Sequence, residues 1–107
     1  MEAKPRRVRT FVTGDGKVPF EVWLDSLRDP TIRARVDARI ARLRTGNFGD
    51  CRAVGEGVME LRLHFGSGYR VYFGEDGEEV ILLWGGEKST QDQDVRRARD
   101  LWREYWN

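Results

Sequence analysis

Four side chains that can act on a phosphate group alternate along two neighbouring segments of the chain: Arg62, His64, Arg70 and Tyr72. Successive side chains of a β-strand point to opposite faces, so residues two apart share a face. Guanidinium groups bind phosphate oxygens through paired hydrogen bonds, an imidazole exchanges protons near neutral pH, and a phenol can stack on a base. The set suits RNA cleavage without a metal ion, in which a 2′-hydroxyl attacks the adjacent phosphate and arginines stabilise the charge that develops.

The apolar residues between these four predict how the two segments pair. A three-residue loop, Gly66-Ser67-Gly68, would pair His64 with Arg70 and Arg62 with Tyr72, and it would collect the apolar side chains on the opposite face. A two-residue loop would mix apolar and charged side chains on both faces, so the pattern rejects it. We therefore predict a hairpin whose four polar side chains form one solvent-facing patch.

Further basic residues extend this predicted patch. Lys88 follows the last predicted strand after two glycines, and Arg42, Arg44 and Arg52 lie in an arginine-rich stretch. We take Lys88 as a candidate catalytic residue and the three arginines as candidate RNA-binding residues. The alternative is that these residues serve only solubility and ordinary pairing on a sheet and a helix surface, with Glu60 as an ion-pair partner.

The elements that must position these residues follow from hydrophobic periodicity. Residues 6–13 alternate as a strand, and residues 19–44 carry two apolar helical stripes, interrupted at Asp29-Pro30, that predict a helical hairpin. Three antiparallel strands follow from residue 58, and a last helix begins near Ser89-Thr90. The predicted fold is α+β in the order β-α-α-β-β-β-α, with the helices packed on one face of a small antiparallel sheet.

Composition limits the class of protein. The 107 residues are predicted to form a single domain, residues 1–107, with a net charge of only +1. The longest apolar run, Val80 to Trp84, is too short to span a bilayer, and the first residues carry no hydrophobic leader, so we expect a cytoplasmic protein that does not bind membranes. One Cys and one His predict neither a disulfide nor a zinc site, and no cofactor is expected.

Several sequence blocks, in order, resemble the addiction-module killer proteins, HigB-like toxins of the RelE/ParE superfamily. The resemblance covers roughly residues 8 to 104 and is specific because it rests on many blocks. The blocks are Phe20-x-x-Trp23-Leu24-x-x-Leu27, Gly46-Asn47-Phe48-Gly49-Asp50, Val54-Gly55-Glu56-Gly57-Val58, Glu60-Leu61-Arg62, Gly68-Tyr69-Arg70-Val71-Tyr72-Phe73, and Leu82-Leu83-Trp84-Gly85-Gly86-Glu87-Lys88-Ser89-Thr90-Gln91 with Asp94 and Ala98.

The resemblance implies two N-terminal helices packed on an antiparallel sheet, and cleavage of mRNA on the translating ribosome without a metal ion. It also implies a cognate antitoxin, often a helix-turn-helix protein. By motif, Arg70 would hold the scissile phosphate and Lys88 would protonate the leaving group or stabilise its charge. Arg62 aligns approximately with a lysine that RelE-type toxins carry on the strand before the one that bears the residue matched by Arg70. His64 is a candidate general base from its chemistry alone.

Two other functions stay open at this stage. The ParE branch of the superfamily poisons DNA gyrase by binding, whereas the basic set Arg62, Arg70 and Lys88 favours RNA cleavage. An inactive regulator that still binds its antitoxin is the second alternative. The low net charge and Glu60, which would repel phosphate if it faced the site, keep this alternative open.

Overall fold

Nine short elements build the domain in the computed structural model, which describes residues 4–107. The expectation that the chain has no hydrophobic leader concerns its first residues, and positions 1–3 lie outside the described residues. The elements are β1 (Arg7–Thr10), α1 (Pro19–Ser26), α2 (Pro30–Arg44), β2 (Cys51–Ala53), β3 (Val58–Arg62), β4 (Arg70–Asp76), β5 (Glu79–Gly86), a 3-10 turn (Lys88–Thr90) and α3 (Gln91–Trp106). Within residues 4–107, no helix combines the length and apolar character needed to cross a membrane.

The helix starts agree with the local sequence signals. Pro19 and Pro30 occupy the first turns of α1 and α2, where a missing backbone N–H costs no hydrogen bond. The Asp29 side chain caps α2 by accepting a hydrogen bond of 2.8 Å from the backbone N–H of Thr31. Residues 19–44 therefore form two separate helices, as predicted.

The sheet differs from the predicted one in direction and in number of strands. Its five strands lie in the order β1-β5-β4-β3-β2, and β1 runs parallel to β5. The sheet is therefore mixed, which corrects the prediction of an antiparallel sheet, although the α+β class is confirmed. The additional strand is β2, which pairs antiparallel with β3. Three residues are too few to show a period of two, so this strand could not be predicted from alternation.

Helices cover both faces of the sheet, which corrects the prediction that all of them pack on one face. The α1 and α2 helices pack on the face that carries Val71, Phe73 and Leu82. The α3 helix packs on the opposite face against Ile81 and Leu83. Because β5 is apolar at nearly every position, both of its faces must be shielded from water, and helices on one face alone would leave half of it exposed.

The β3–β4 hairpin keeps its predicted faces but not its predicted register. Arg62 lies opposite Arg70, and a backbone hydrogen bond of 2.9 Å from Leu63 N to Tyr69 O closes the connection. Gly66 and Gly68 adopt positive φ angles of 58° and 79°, so a wider loop replaces the three-residue turn. The shift is two positions, an even number, and Arg62, Arg70 and Tyr72 therefore stay on their predicted common face.

Candidate functional site

A buried carboxylate organises the polar face of the β3–β4 hairpin. The side chain of Glu60 is fully buried. Its Oε2 accepts hydrogen bonds from the Tyr72 hydroxyl at 3.0 Å and from the Gln91 amide at 2.9 Å. Its Oε1 accepts a hydrogen bond of 3.1 Å from Arg52 Nε. Glu60 therefore links β2, β3, β4 and the start of α3 through one charged group.

Two more arginines contact the same carboxylate. Arg62 Nε lies 3.5 Å from Glu60 Oε1, and Arg70 Nε lies 3.6 Å from Glu60 Oε2. Within the described part of the chain, neither of these buried Nε atoms has a hydrogen-bond partner. Three guanidiniums therefore share one carboxylate, which leaves a net positive charge at the surface above it.

The surroundings of Glu60 lower its pKa. Burial alone would raise the pKa, because it penalises the charged form, but the hydrogen bonds from Gln91, Tyr72 and Arg52 together with the charge of Arg52 outweigh burial. Glu60 is thus ionised at neutral pH. Its side chain is buried, and the three arginines around it compensate its negative charge.

Arg62, His64, Arg70 and Lys88 line one shallow depression of about 380 Å³. Arg70 is held almost completely within the protein, with 11% of its side chain exposed, and its Nη1 donates a hydrogen bond of 3.2 Å to Gly68 O. A Cβ atom on Gly68 would lie 3.2 Å from the Lys88 Cβ and 3.8 Å from Arg70 Nη1. Gly68 therefore lies close to both Lys88 and Arg70. The structure thus gathers all four residues predicted as catalytic.

His64 belongs to this depression, but its partner differs from the predicted one. Because β3 ends at Arg62, His64 lies in the connection and does not face Arg70. Its Nε2 instead contacts the carboxylate of Asp50, from the loop before β2. This contact is the main reason that the pKa of Asp50 is lowered. An imidazole held by a carboxylate at one nitrogen can exchange a proton through the other.

Tyr72 does not belong to the exposed patch, which corrects its predicted role in stacking on RNA. Its ring is fully buried beneath α3, together with Ile81 and Leu83. Burial, and next the nearby charge of Glu60, raise the pKa of the Tyr72 phenol. The sequence placed Tyr72 on the correct face, but α3 covers that face. Tyr72 therefore helps to hold Glu60 and is inaccessible to a ligand.

The three arginines predicted to bind RNA separate in the structure. Arg52 is half exposed beside Glu60. Arg42 lines a second depression, between α2 and the residues that follow β3. Arg44 is exposed at the end of α2 and lines neither depression.

Three residues of the site were not predicted from the sequence: Glu60 as an organising group, Asp50 and Gln91. The role of Glu60 could have been inferred, because it lies two positions before Arg62 and so shares its strand face. A charged side chain on a covered sheet face is costly unless it is paired with an opposite charge. Asp50 and Gln91 could not have been inferred in this way, because they reach the site from loop and helix positions distant in the sequence.

The site is thus a basic depression on the sheet of an α+β fold, and the His64 imidazole, in contact with the Asp50 carboxylate, lies at its rim. No family model matches the chain. The chain is 49% identical over 83 residues to an uncharacterized protein of Haemophilus influenzae, and the match covers 77% of this chain and 84% of that protein. The chain belongs to the same family as this Haemophilus protein.

Proposed function

We propose that this protein is the toxin of a type II toxin–antitoxin pair, an endoribonuclease of the RelE/ParE superfamily that cleaves mRNA on the translating ribosome. The observation that carries the proposal is the convergence of Arg62, Arg70, Lys88 and His64 on one depression. These residues come from two strands, a loop and the turn before α3. A sheet surface that served only solubility would give no reason for a lysine and a histidine from separate connections to line one depression with a nearly buried arginine.

Each group has a role in the proposed reaction. Arg70, held in place by Glu60, binds the scissile phosphate, and Arg62 adds charge that stabilises the transition state. His64, held by Asp50, removes the proton of the 2′-hydroxyl as the new oxygen–phosphorus bond forms. The bond to the 5′-oxygen breaks, and Lys88 supplies the proton that this oxygen takes up. The products are a 2′,3′-cyclic phosphate and a free 5′-hydroxyl.

The partners follow from this proposal. We expect a cognate antitoxin, of the helix-turn-helix kind, to cover the basic depression or to displace α3, because blocking the charged site is the direct way to silence it. The protein would act in the cytoplasm, where translating ribosomes are found. A complex that left Arg62, Arg70 and Lys88 open to solvent would contradict this mode of inhibition.

The test is induced expression with mapping of mRNA 5′ ends. Arg70→Ala and Lys88→Ala should each lower the cleavage rate about 10²–10³-fold, the typical cost of removing a group that stabilises a transition state. Lys17→Ala is the matched control for Lys88, since the Lys17 side chain is exposed and its ammonium pairs with Asp15 at 3.8 Å. The control should arrest growth as the wild type does.

Three results would contradict the proposal in different ways. If both site variants remain fully toxic, the site is wrongly assigned. Growth arrest with intact mRNA would indicate another target, such as DNA gyrase. Normal growth during expression of the wild type would indicate an inactive regulator.

A further inference from the structure

A second basic groove lies beside the proposed catalytic depression. It occupies about 390 Å³ between α2 and the residues that follow β3. Arg35, Arg39 and Arg42 line it from the helix. They are spaced i, i+4 and i+7, so they share one helical face, whereas Arg33 points away and pairs with Asp25. The groove is therefore built from one stripe of the helix.

The positive charge of this groove is not neutralised by the protein. Asp50 is the acidic residue among the lining residues, and it contacts His64. Arg39 donates to the backbone oxygen of Phe48 through Nη2, but within residues 4–107 its buried Nη1 has no partner. Burial, followed by the charge of Arg42, lowers the pKa of Arg39. The arginines that line the groove therefore outnumber its acidic residue, which leaves positive charge available to an anion.

The floor of the groove is apolar and aromatic. Ala38, Leu63 and Phe65 form it, and the guanidinium of Arg35 lies 5.2 Å from the centre of the Phe65 ring. A ligand that matches both parts needs a flat apolar surface and negative charge at its edge. A nucleotide of single-stranded RNA has both, because its base stacks on aromatic rings and its phosphate binds arginine. An acidic peptide would satisfy the arginines but not the floor.

The groove is continuous with the catalytic depression. Both are lined by the same four consecutive residues, Arg62, Leu63, His64 and Phe65. We propose that the groove between α2 and the β3–β4 connection is a binding subsite for a nucleotide that flanks the cleaved bond of single-stranded RNA. Its position next to the cleaved bond rests on the proposed function, whereas RNA binding by the groove does not.

The experiment measures binding of a fluorescent 2′-O-methyl RNA hexanucleotide, which cannot be cleaved, by anisotropy at several salt concentrations. Arg42→Ala should weaken binding about tenfold and reduce the slope of log affinity against log salt by about 1, as loss of one phosphate contact does. Arg35→Ala should act in the same direction. Arg33→Ala removes the same charge from the same helix outside the groove, and it should bind nearly as the wild type does.

The outcomes separate this inference from the proposed function. Equal affinities for Arg42→Ala and Arg33→Ala, no binding by the wild type, or equally tight binding of a polyglutamate peptide would each overturn the subsite. Tight hexanucleotide binding that depends on Arg42, in a protein that never cleaves RNA, would support the subsite and contradict the proposed function. Cleavage that requires Arg70, with binding insensitive to Arg42, would do the reverse.

Discussion

Replacing Glu60 with glutamine tests whether the buried carboxylate holds the site together. The carboxylate accepts three hydrogen bonds, from Tyr72, Gln91 and Arg52, and it lies within 3.6 Å of Arg70 Nε. Glutamine keeps one acceptor oxygen but places an amide donor among guanidinium donors. A hydrogen bond to a charged group contributes about 1.5–3 kcal/mol, and removing one partner of a buried ion pair costs about 3–5 kcal/mol. We expect a loss of about 3 kcal/mol at pH 7.

The stability contributed by Glu60 should depend on pH, and the direction of its pKa shift decides how. The folded protein lowers the pKa of Glu60, so it favours the charged carboxylate. The stabilisation from Glu60 is therefore complete above the ordinary glutamate pKa of about 4.3 and is lost as the pH falls through that value towards the lower folded pKa. The difference in stability between the wild type and Glu60→Gln should shrink as the pH falls below about 4.

Urea unfolding followed by tryptophan fluorescence measures this difference, since the chain contains four tryptophans. Glu78→Gln, at an exposed turn position, is the matched control and should unfold as the wild type does at both pH values. The reasoning fails if Glu60→Gln is within about 0.5 kcal/mol of the wild type at pH 7, the range of ordinary surface substitutions. It also fails if the difference is the same at pH 7 and at acid pH.

Two further predictions concern packing and the Asp50–His64 contact. Gly85→Ala should lower the free energy of unfolding by about 1–3 kcal/mol, because the new Cβ would lie 2.2 Å from the buried ring of Trp23. Gly14→Ala is the control and should be far milder, since a Cβ there would meet no atom within 4 Å. Equal melting temperatures for the two variants would contradict the packing of Gly85 against Trp23. An NMR titration of the Asp50 carboxyl should give a pKa below the ordinary aspartate range, and His64→Gln should raise that pKa, because the hydrogen bond to His64 is the main cause of the lowering. A titration unchanged by His64→Gln would refute the contact.

Local sequence patterns were sufficient to predict the starts of α1 and α2 and the common face of Arg62 and Arg70. The proline positions and the Asp29 cap predicted where α1 and α2 begin, since these signals act within a few residues. The alternation around Arg62 and Arg70 assigned both residues to one face, and that assignment survived a two-residue error in register. A period of two records only the parity of a position, so an even shift leaves the face unchanged.

Contacts between segments distant in the sequence could not be read from such patterns. The apolar β5 showed that both faces need cover, but only the packed structure shows that α3 covers the face that carries Tyr72. The same packing buries Glu60 among three arginines. Hydrophobic periodicity measures how one element divides its own surface, and it carries no information about which element meets that surface.

By itself, then, the sequence determined which basic residues could share a sheet face, because that depends on the backbone repeat alone. Only the tertiary structure decided that Lys88 and Arg70 line one depression, that Asp50 contacts His64, and that Arg39 and Arg42 line a groove beside them. Each of these contacts depends on loop paths and on the packing of α2 and α3 against opposite faces of the sheet. Those arrangements are fixed by the burial of apolar surface over the whole chain, which no short stretch of sequence encodes.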